Sequence, residues 1–276
     1  MSRRPINRFR SRILSRMILR PSSHPLDHGE QSRVMLPSRL GPLETFFRDS
    51  DPPTETPDLV ILKFPGTAGR AERSTTFPTE FLGSRGVHLW TWNPPGYGKS
   101  AGRASLENIA NSARFFYDEV VKKYDSSDGS RPPIWMVGNS LGCATALGVA
   151  AHAAFKPSGL VLRNPPPLDH VVRHVAKKYP LGRFVKSITD RLDEAMNALL
   201  TAPKVDVPAL FFQSEFDTLV LPEMQKMIRD VYAGPKYLVE LKGLGHDGMI
   251  DEDHLVEVRR GIDWLGNQSQ HGQSGV

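Results

Sequence analysis

From residue 58 onward, short apolar runs alternate with segments of helical periodicity. The runs are Leu59–Leu62, Val87–Trp92, Ile134–Val137, Leu160–Leu162, Ala209–Phe212 and Tyr237–Leu241. They are rich in β-branched, aromatic and leucine residues, and several are apolar throughout, as strands covered on both faces should be. Between them the spacing predicts helices near 105–124, 141–153, 221–233 and 251–266. In the first of these Ser105 is placed to cap, and Ile109, Phe116 and Val120 share one face. Strand–helix–strand alternation implies an α/β fold, with a mainly parallel, doubly wound sheet and helices on both sides. The Arg33–Ser50 stretch adds a candidate hairpin at one sheet edge, followed by an exposed loop at Asp51–Pro57.

One interval departs from this rhythm. About forty residues separate the strand near 160 from the strand near 209. They contain a Pro165-Pro166-Pro167 stop and helical stretches near 168–178 and 183–200, with Val171, Val172 and Val175 forming an apolar strip. A segment longer than a crossover needs reads as a small helical lid. The expected organisation is an arm over 1–32, a core over 33–167 and 206–268, a lid insertion over 168–205, and a polar end over 269–276.

Charge changes the picture at one end. The chain of 276 residues carries a formal charge of +5. Seven arginines and no acid fall within residues 1–20, which leaves 28 basic against 30 acidic residues in the remainder, a net of −2. A near-neutral body without a basic face interleaved with aromatics argues against nucleic acid as a partner. In the arm, Arg16 splits the apolar residues Ile13-Leu14 from Met17-Ile18-Leu19, so no secretory signal is formed. Nor does any stretch approach the roughly 18 apolar residues of a membrane span. The arm reads as a partly helical segment packed on the body, as a weak contact with a membrane surface, or as an organelle transit peptide. A cytoplasmic or membrane-peripheral location is expected, and removal of residues 1–20 is expected to leave turnover of a small ester nearly unchanged. Cys143 is the single cysteine, so no internal disulfide can form.

The candidate chemistry begins where strand 134–137 runs into Gly138-Asn139-Ser140-Leu141-Gly142, followed by the small residues Cys143, Ala144, Ala146 and Gly148. A Gly-x-Ser-x-Gly turn between strand and helix lifts a serine hydroxyl above the strand ends, and the next helix aims its first amides at the reacting centre. Serine needs an adjacent base, and the base an orienting acid. Asp217 follows the strand at 209–213, and His246 follows the last strand within Gly243-Leu244-Gly245-His246-Asp247-Gly248. Glu215 and Asp190 are the nearest rivals for the acid, and Asp247 ranks below them. An oxyanion hole is expected from the amides of Leu141 and of Thr67, the latter in Phe64-Pro65-Gly66-Thr67-Ala68-Gly69.

The elbow, acid and base, in that order over residues 58–266, resemble the α/β-hydrolase superfamily in its esterase- and peptidase-like branch. Phe64–Gly69 is similar to that fold's oxyanion loop. Asn93-Pro94-Pro95-Gly96-Tyr97-Gly98-Lys99-Ser100 resembles the loop after its next strand, which commonly reads Asp-x-Arg-Gly-x-Gly-x-Ser, and Asp217–Pro222 resembles the run that begins at its acid. Two departures stand out: Pro65 replaces the common His, and Asn93-Pro94-Pro95 replaces Asp-x-Arg, a change that questions the salt bridge usual in that loop. The resemblance implies a serine hydrolase of ester, thioester or amide bonds, acting on a small acyl substrate with no cofactor and no metal.

Other signals do not hold. Gly98-Lys99-Ser100 lacks the first glycine of a P-loop, since position 93 is Asn, and Gly96-x-Gly98 lacks the third glycine of a dinucleotide fingerprint. His170 and His174, four apart, have no further ligand cluster around them. Two alternatives stay open from sequence: a non-catalytic binding protein on the same fold, and an acyltransferase or peptidase using the same residues.

Overall fold

A computed structural model of the chain describes residues 13–126, 130–177 and 192–271. The first five arginines, the rival acid Asp190, the first half of the helical stretch near 183–200 and the last five residues lie outside them. Eight strands form one sheet: β1 (Ser32–Ser38), β2 (Gly41–Arg48), β3 (Leu59–Phe64), β4 (Val87–Trp92), β5 (Ile134–Asn139), β6 (Gly159–Arg163), β7 (Ala209–Ser214) and β8 (Lys236–Leu241). Their spatial order is β1-β2-β4-β3-β5-β6-β7-β8. The first two form an antiparallel hairpin, β2 pairs antiparallel with β4, and every later pairing is parallel. The edge hairpin stands at Arg33–Ser50, where the sequence suggests one.

Among the described residues the helices are α1 (13–18), α2 (Leu106–Lys122), α3 (Leu141–Ala150), α4 (Leu168–Ala176), α5 (Ala198–Thr201), α6 (Pro222–Val231) and α7 (Leu255–His271). Ser105 caps α2, its hydroxyl accepting from the Asn108 amide at 3.1 Å. One core packs α2, α3 and α6 against the first face of the sheet through residues such as Phe116, Leu147 and Ile228. The second core packs α7 against the opposite face through Val258, Ile262 and Leu265. That face is incompletely roofed, because the β3–β4 connection carries two 3-10 turns, Ala71–Arg73 and Thr79–Phe81, instead of an α-helix. In α4, Val171 and Val172 are buried while Val175 is half-buried.

The arm is bound to the body. Leu14 and Leu19 are 2% and 4% exposed and belong to the larger core. The Ser15 hydroxyl accepts from the Leu106 amide at 3.2 Å, and the Arg20 guanidinium caps α1 by donating to the carbonyls of Met17 and Leu19 at 3.1 and 3.0 Å. Hydrophobic periodicity mixed with arginine thus resolves as a short helix with Leu14 inward and Arg16 outward, followed by the buried Leu19. Among the described residues, no helix is long and apolar enough to cross a membrane.

Candidate active site

The turn at Ser140 is strained and tightly enclosed. Ser140 has φ 52° and ψ −120°, a backbone conformation that a side-chain-bearing residue adopts only when its surroundings impose it. Its amide donates to the Arg163 carbonyl at 2.9 Å, and its carbonyl accepts from the Cys143 amide at 2.8 Å. The flanking glycines are required by space: a Cβ on Gly138 would lie 2.7 Å from the Cys143 backbone, and one on Gly142 would lie 1.9 Å from the Phe64 carbonyl oxygen. Hence α3 sits against the end of β3, and its first amide, that of Leu141, has no intrahelical acceptor. Cys143 is fully buried and its thiol donates to the carbonyls of Gly138 and Arg163, both at 3.1 Å; burial pushes its pKa far above the ordinary range.

The loops after β7 and β8 converge on this turn. His246 Nδ1 lies 2.7 Å from Asp217 Oδ2, and His246 Nε2 lies 3.1 Å from Ser140 Oγ. With an ionised acid at Nδ1, that nitrogen carries the proton and Nε2 is left to accept from the serine hydroxyl. Asp217 is 2% exposed, and its Oδ1 accepts from the amides of Leu219 and Val220 at 2.9 and 2.8 Å. The rival Glu215 is engaged elsewhere in the same loop, accepting from the Gly243 amide at 2.8 Å.

Three supporting residues have no sequence motif to announce them. Gln225, on α6, donates to Asp217 Oδ2 at 3.2 Å and to the Val220 carbonyl at 2.8 Å. Asn164, at φ 52°, donates to the His246 carbonyl at 3.2 Å and accepts from the Ser214 amide at 3.0 Å, tying the ends of β6 and β7 to the histidine loop. Arg163 donates to the Gly248 carbonyl in that loop.

The Phe64–Gly69 loop lies against the same turn. A Cβ on Gly66 would stand 3.3 Å from the Asn139 carbonyl and 3.6 Å from Ser140 Cβ. The loop is tethered from behind at Thr67, whose carbonyl accepts from the Tyr97 hydroxyl at 2.7 Å and from the Arg20 amide at 3.1 Å. Tyr97 is itself buried, and its hydroxyl also accepts from Arg20 N–H at 3.2 Å. The arm, packed on the body as one of its sequence readings has it, therefore contacts the Phe64–Gly69 loop.

Several solved structures have the same architecture. An acetyl xylan esterase from Paenibacillus sp. R4 superposes with a TM-score of 0.63 at 15% identity, covering 97% of this chain and 95% of that one. A Pyrococcus furiosus esterase gives 0.63 at 15% identity over 92% and 98%, and an alpha-beta hydrolase from Vibrio vulnificus gives 0.61 at 19% identity over 100% and 95%. This chain has the α/β-hydrolase fold. No family model matches its sequence.

Within the α/β-hydrolase fold the departure at Asn93 has a structural answer. The Asn93 amide nitrogen donates to two buried carboxylates, Glu44 at 2.8 Å and Glu72 at 2.9 Å, and its oxygen accepts from the Ala71 amide at 2.9 Å. Arg33 pairs with Glu44 at 2.8 Å, and Arg70 pairs with Glu72 while also donating to the arm carbonyls of Ser22 and His24. A neutral carboxamide between two ion pairs takes the place of one Asp–Arg bridge. Burial pushes Glu72 upward, but hydrogen bonds from Arg70 and Asn93 outweigh it and hold the carboxyl below its ordinary value. Among the described residues no group of three or more His, Cys, Asp or Glu is disposed to hold a metal, and His170 lies beside Asp169 at 3.8 Å.

Proposed function

We propose that the chain is a serine hydrolase of carboxylic esters working through an acyl-enzyme. The observation that carries this reading is the hydrogen-bonded row Ser140–His246–Asp217 at the strand ends. Ser140 Oγ attacks the ester carbonyl carbon as His246 Nε2 takes its proton, and Asp217 stabilises the imidazolium that forms. The amides of Leu141 and Thr67 receive the negative charge developing on the carbonyl oxygen. Collapse expels the alcohol, which takes the proton from His246. Water then attacks the acyl-serine with His246 as base, releasing the acid and restoring Ser140.

The esterase names of the similar structures favour an ester over an amide carbonyl. We assign α4, whose Val171 and Val172 are buried, the cover of the acyl side. A fluorophosphonate probe should label the wild-type protein and not a folded Ser140→Ala variant, and p-nitrophenyl esters of increasing chain length should define the acyl preference. Equal labelling of both proteins would sink the reading.

A further inference from the structure

Beside the nucleophile lies a cavity of about 510 Å³ whose walls neither Ser140 nor His246 lines. It occupies the part of the sheet that the β3–β4 connection leaves without a helix. The strand register sets its floor: Lys63 pairs with Thr91 and Val137, Val137 with Val161, and Asn139 with Arg163. Side chains two apart on a strand share a face, so Val137 and Asn139 lie on one side of β5, and Val161 and Arg163 on one side of β6. Gly66 and Asn139 are walls common to the cavity and the Ser140 turn, and Met249, 83% exposed, stands at the rim.

The lining combines two chemistries. Phe77, Val137, Val161 and Ile250 make it apolar. Against these stand Lys63, Arg73 and Arg163, with Glu80 as the one acid in the lining. Arg70 also borders it, but its guanidinium is held by Glu72 and the arm carbonyls. The Lys63 ammonium donates to the Thr75 carbonyl at 2.6 Å and hydroxyl at 3.3 Å, both neutral. Arg163 Nε is buried without a hydrogen-bond partner. A buried N–H of a guanidinium left unpaired is costly, and a carboxylate would satisfy it. The volume falls within the span of small-molecule sites.

We infer that this cavity binds an amphiphilic monocarboxylate of the size of a short fatty acid or an aryl acid, with its apolar body on Phe77 and Val161 and its carboxylate between Lys63, Arg73 and Arg163. Three cations against Glu80 leave two surplus positive charges, so a monoanion enters a site that stays cationic around it. Burial, more than the opposing pull of Glu80, lowers the Lys63 pKa to about 8, with Arg48 adding to the lowering, so a bound anion would also restore its charge. The ligand class is that of the acid released by the proposed reaction; this link alone rests on the hydrolase reading, whereas binding does not.

The test uses the full-length chain carrying Ser140→Ala, so that binding is read without turnover. Calorimetric titration with phenylacetate should show saturable one-to-one binding, and 2-phenylethanol and inorganic phosphate should each bind at least about tenfold more weakly. Lys63→Met should weaken phenylacetate by about tenfold or more, the scale of one hydrogen bond to a charged group. Arg73→Ala, at an exposed position where folding is not at stake, should weaken it several-fold, and Lys226→Ala, on the distant face of α6, should not change it. Absence of saturable binding at millimolar phenylacetate overturns the inference. So does affinity indifferent to both Lys63→Met and Arg73→Ala, or equal affinity for 2-phenylethanol or phosphate. Failure of fluorophosphonate labelling in the wild type would remove the hydrolase reading and leave this result standing.

Discussion

Tyr97→Phe isolates the tether behind the candidate oxyanion loop. The substitution deletes one hydroxyl from a fully buried ring and leaves the packing in place. The Thr67 carbonyl keeps its Arg20 N–H partner at 3.1 Å, and that amide keeps Thr67, so no buried group is left wholly unpaired. The stability cost is therefore that of a single neutral hydrogen bond, about 1 kcal/mol. The catalytic cost follows from the oxyanion role proposed for the Thr67 amide. Losing an oxyanion donor outright costs about 10²–10³ in kcat, and losing one of two tethers on it should cost about 3–10-fold. Because the lost hydrogen bond falls on the loop's backbone carbonyl, kcat should fall while KM holds. Steady-state kinetics with p-nitrophenyl acetate, beside urea unfolding of the same preparation, make the measurement. Removal of residues 1–20 takes away the Arg20 tether together with the buried Leu14 and Leu19, so kcat should fall further than in Tyr97→Phe. A Tyr97→Phe kcat within twofold of wild type, or a truncated chain of undiminished turnover, would refute the coupling of arm to loop.

Gly142→Ala should lower kcat at least about tenfold and destabilise by about 1–3 kcal/mol, since the new methyl meets the Phe64 carbonyl oxygen; kinetics and urea midpoints read the two effects separately. Gln225→Leu should leave the fluorophosphonate reaction detectable but several-fold slower, because Asp217 Oδ2 loses its second donor while its two backbone amides stay. Glu72, held below its ordinary pKa in the folded protein, contributes stability that is present above the unfolded carboxyl's pKa, about 4.3, and is lost as pH falls through the folded value. Urea midpoints of Glu72→Gln measured from pH 7 down to pH 3 should accordingly fall less steeply than those of wild type; parallel curves would contradict that sign.

The residues legible in the sequence are those whose signal is local. Alternating apolar runs announce β3 to β8, and the Gly138–Gly142 turn announces itself because two close approaches exclude any Cβ. Asp217 and His246 are found by their place after strands. The residues that escape depend on contacts across long sequence separations. Gln225 looks like an ordinary polar residue of an amphipathic helix, Asn164 like part of a proline-rich stop, and Tyr97 like the variable position of a glycine loop. The arm stays open between readings because its arginines dominate its composition, whereas Leu14 and Leu19 decide its place on the body. The cavity arises from a helix that the β3–β4 connection does not form, and Lys63, a lone cation in an apolar strand, is its one local trace.

Cys143 has a practical consequence. The lone sulfhydryl lies under α3 with both neighbouring carbonyls occupying its proton, so maleimides and other alkylating reagents have nothing to react with on the native surface. Any cysteine introduced at an exposed position, such as Val256 on α7, becomes the one addressable thiol of the folded molecule, with no background to remove first. A fluorophore placed there reports on the protein without mutating the cysteine beside Ser140. Reaction of Cys143 in turn becomes a clock for opening of the sheet–α3 interface, readable by mass spectrometry as alkylation over time.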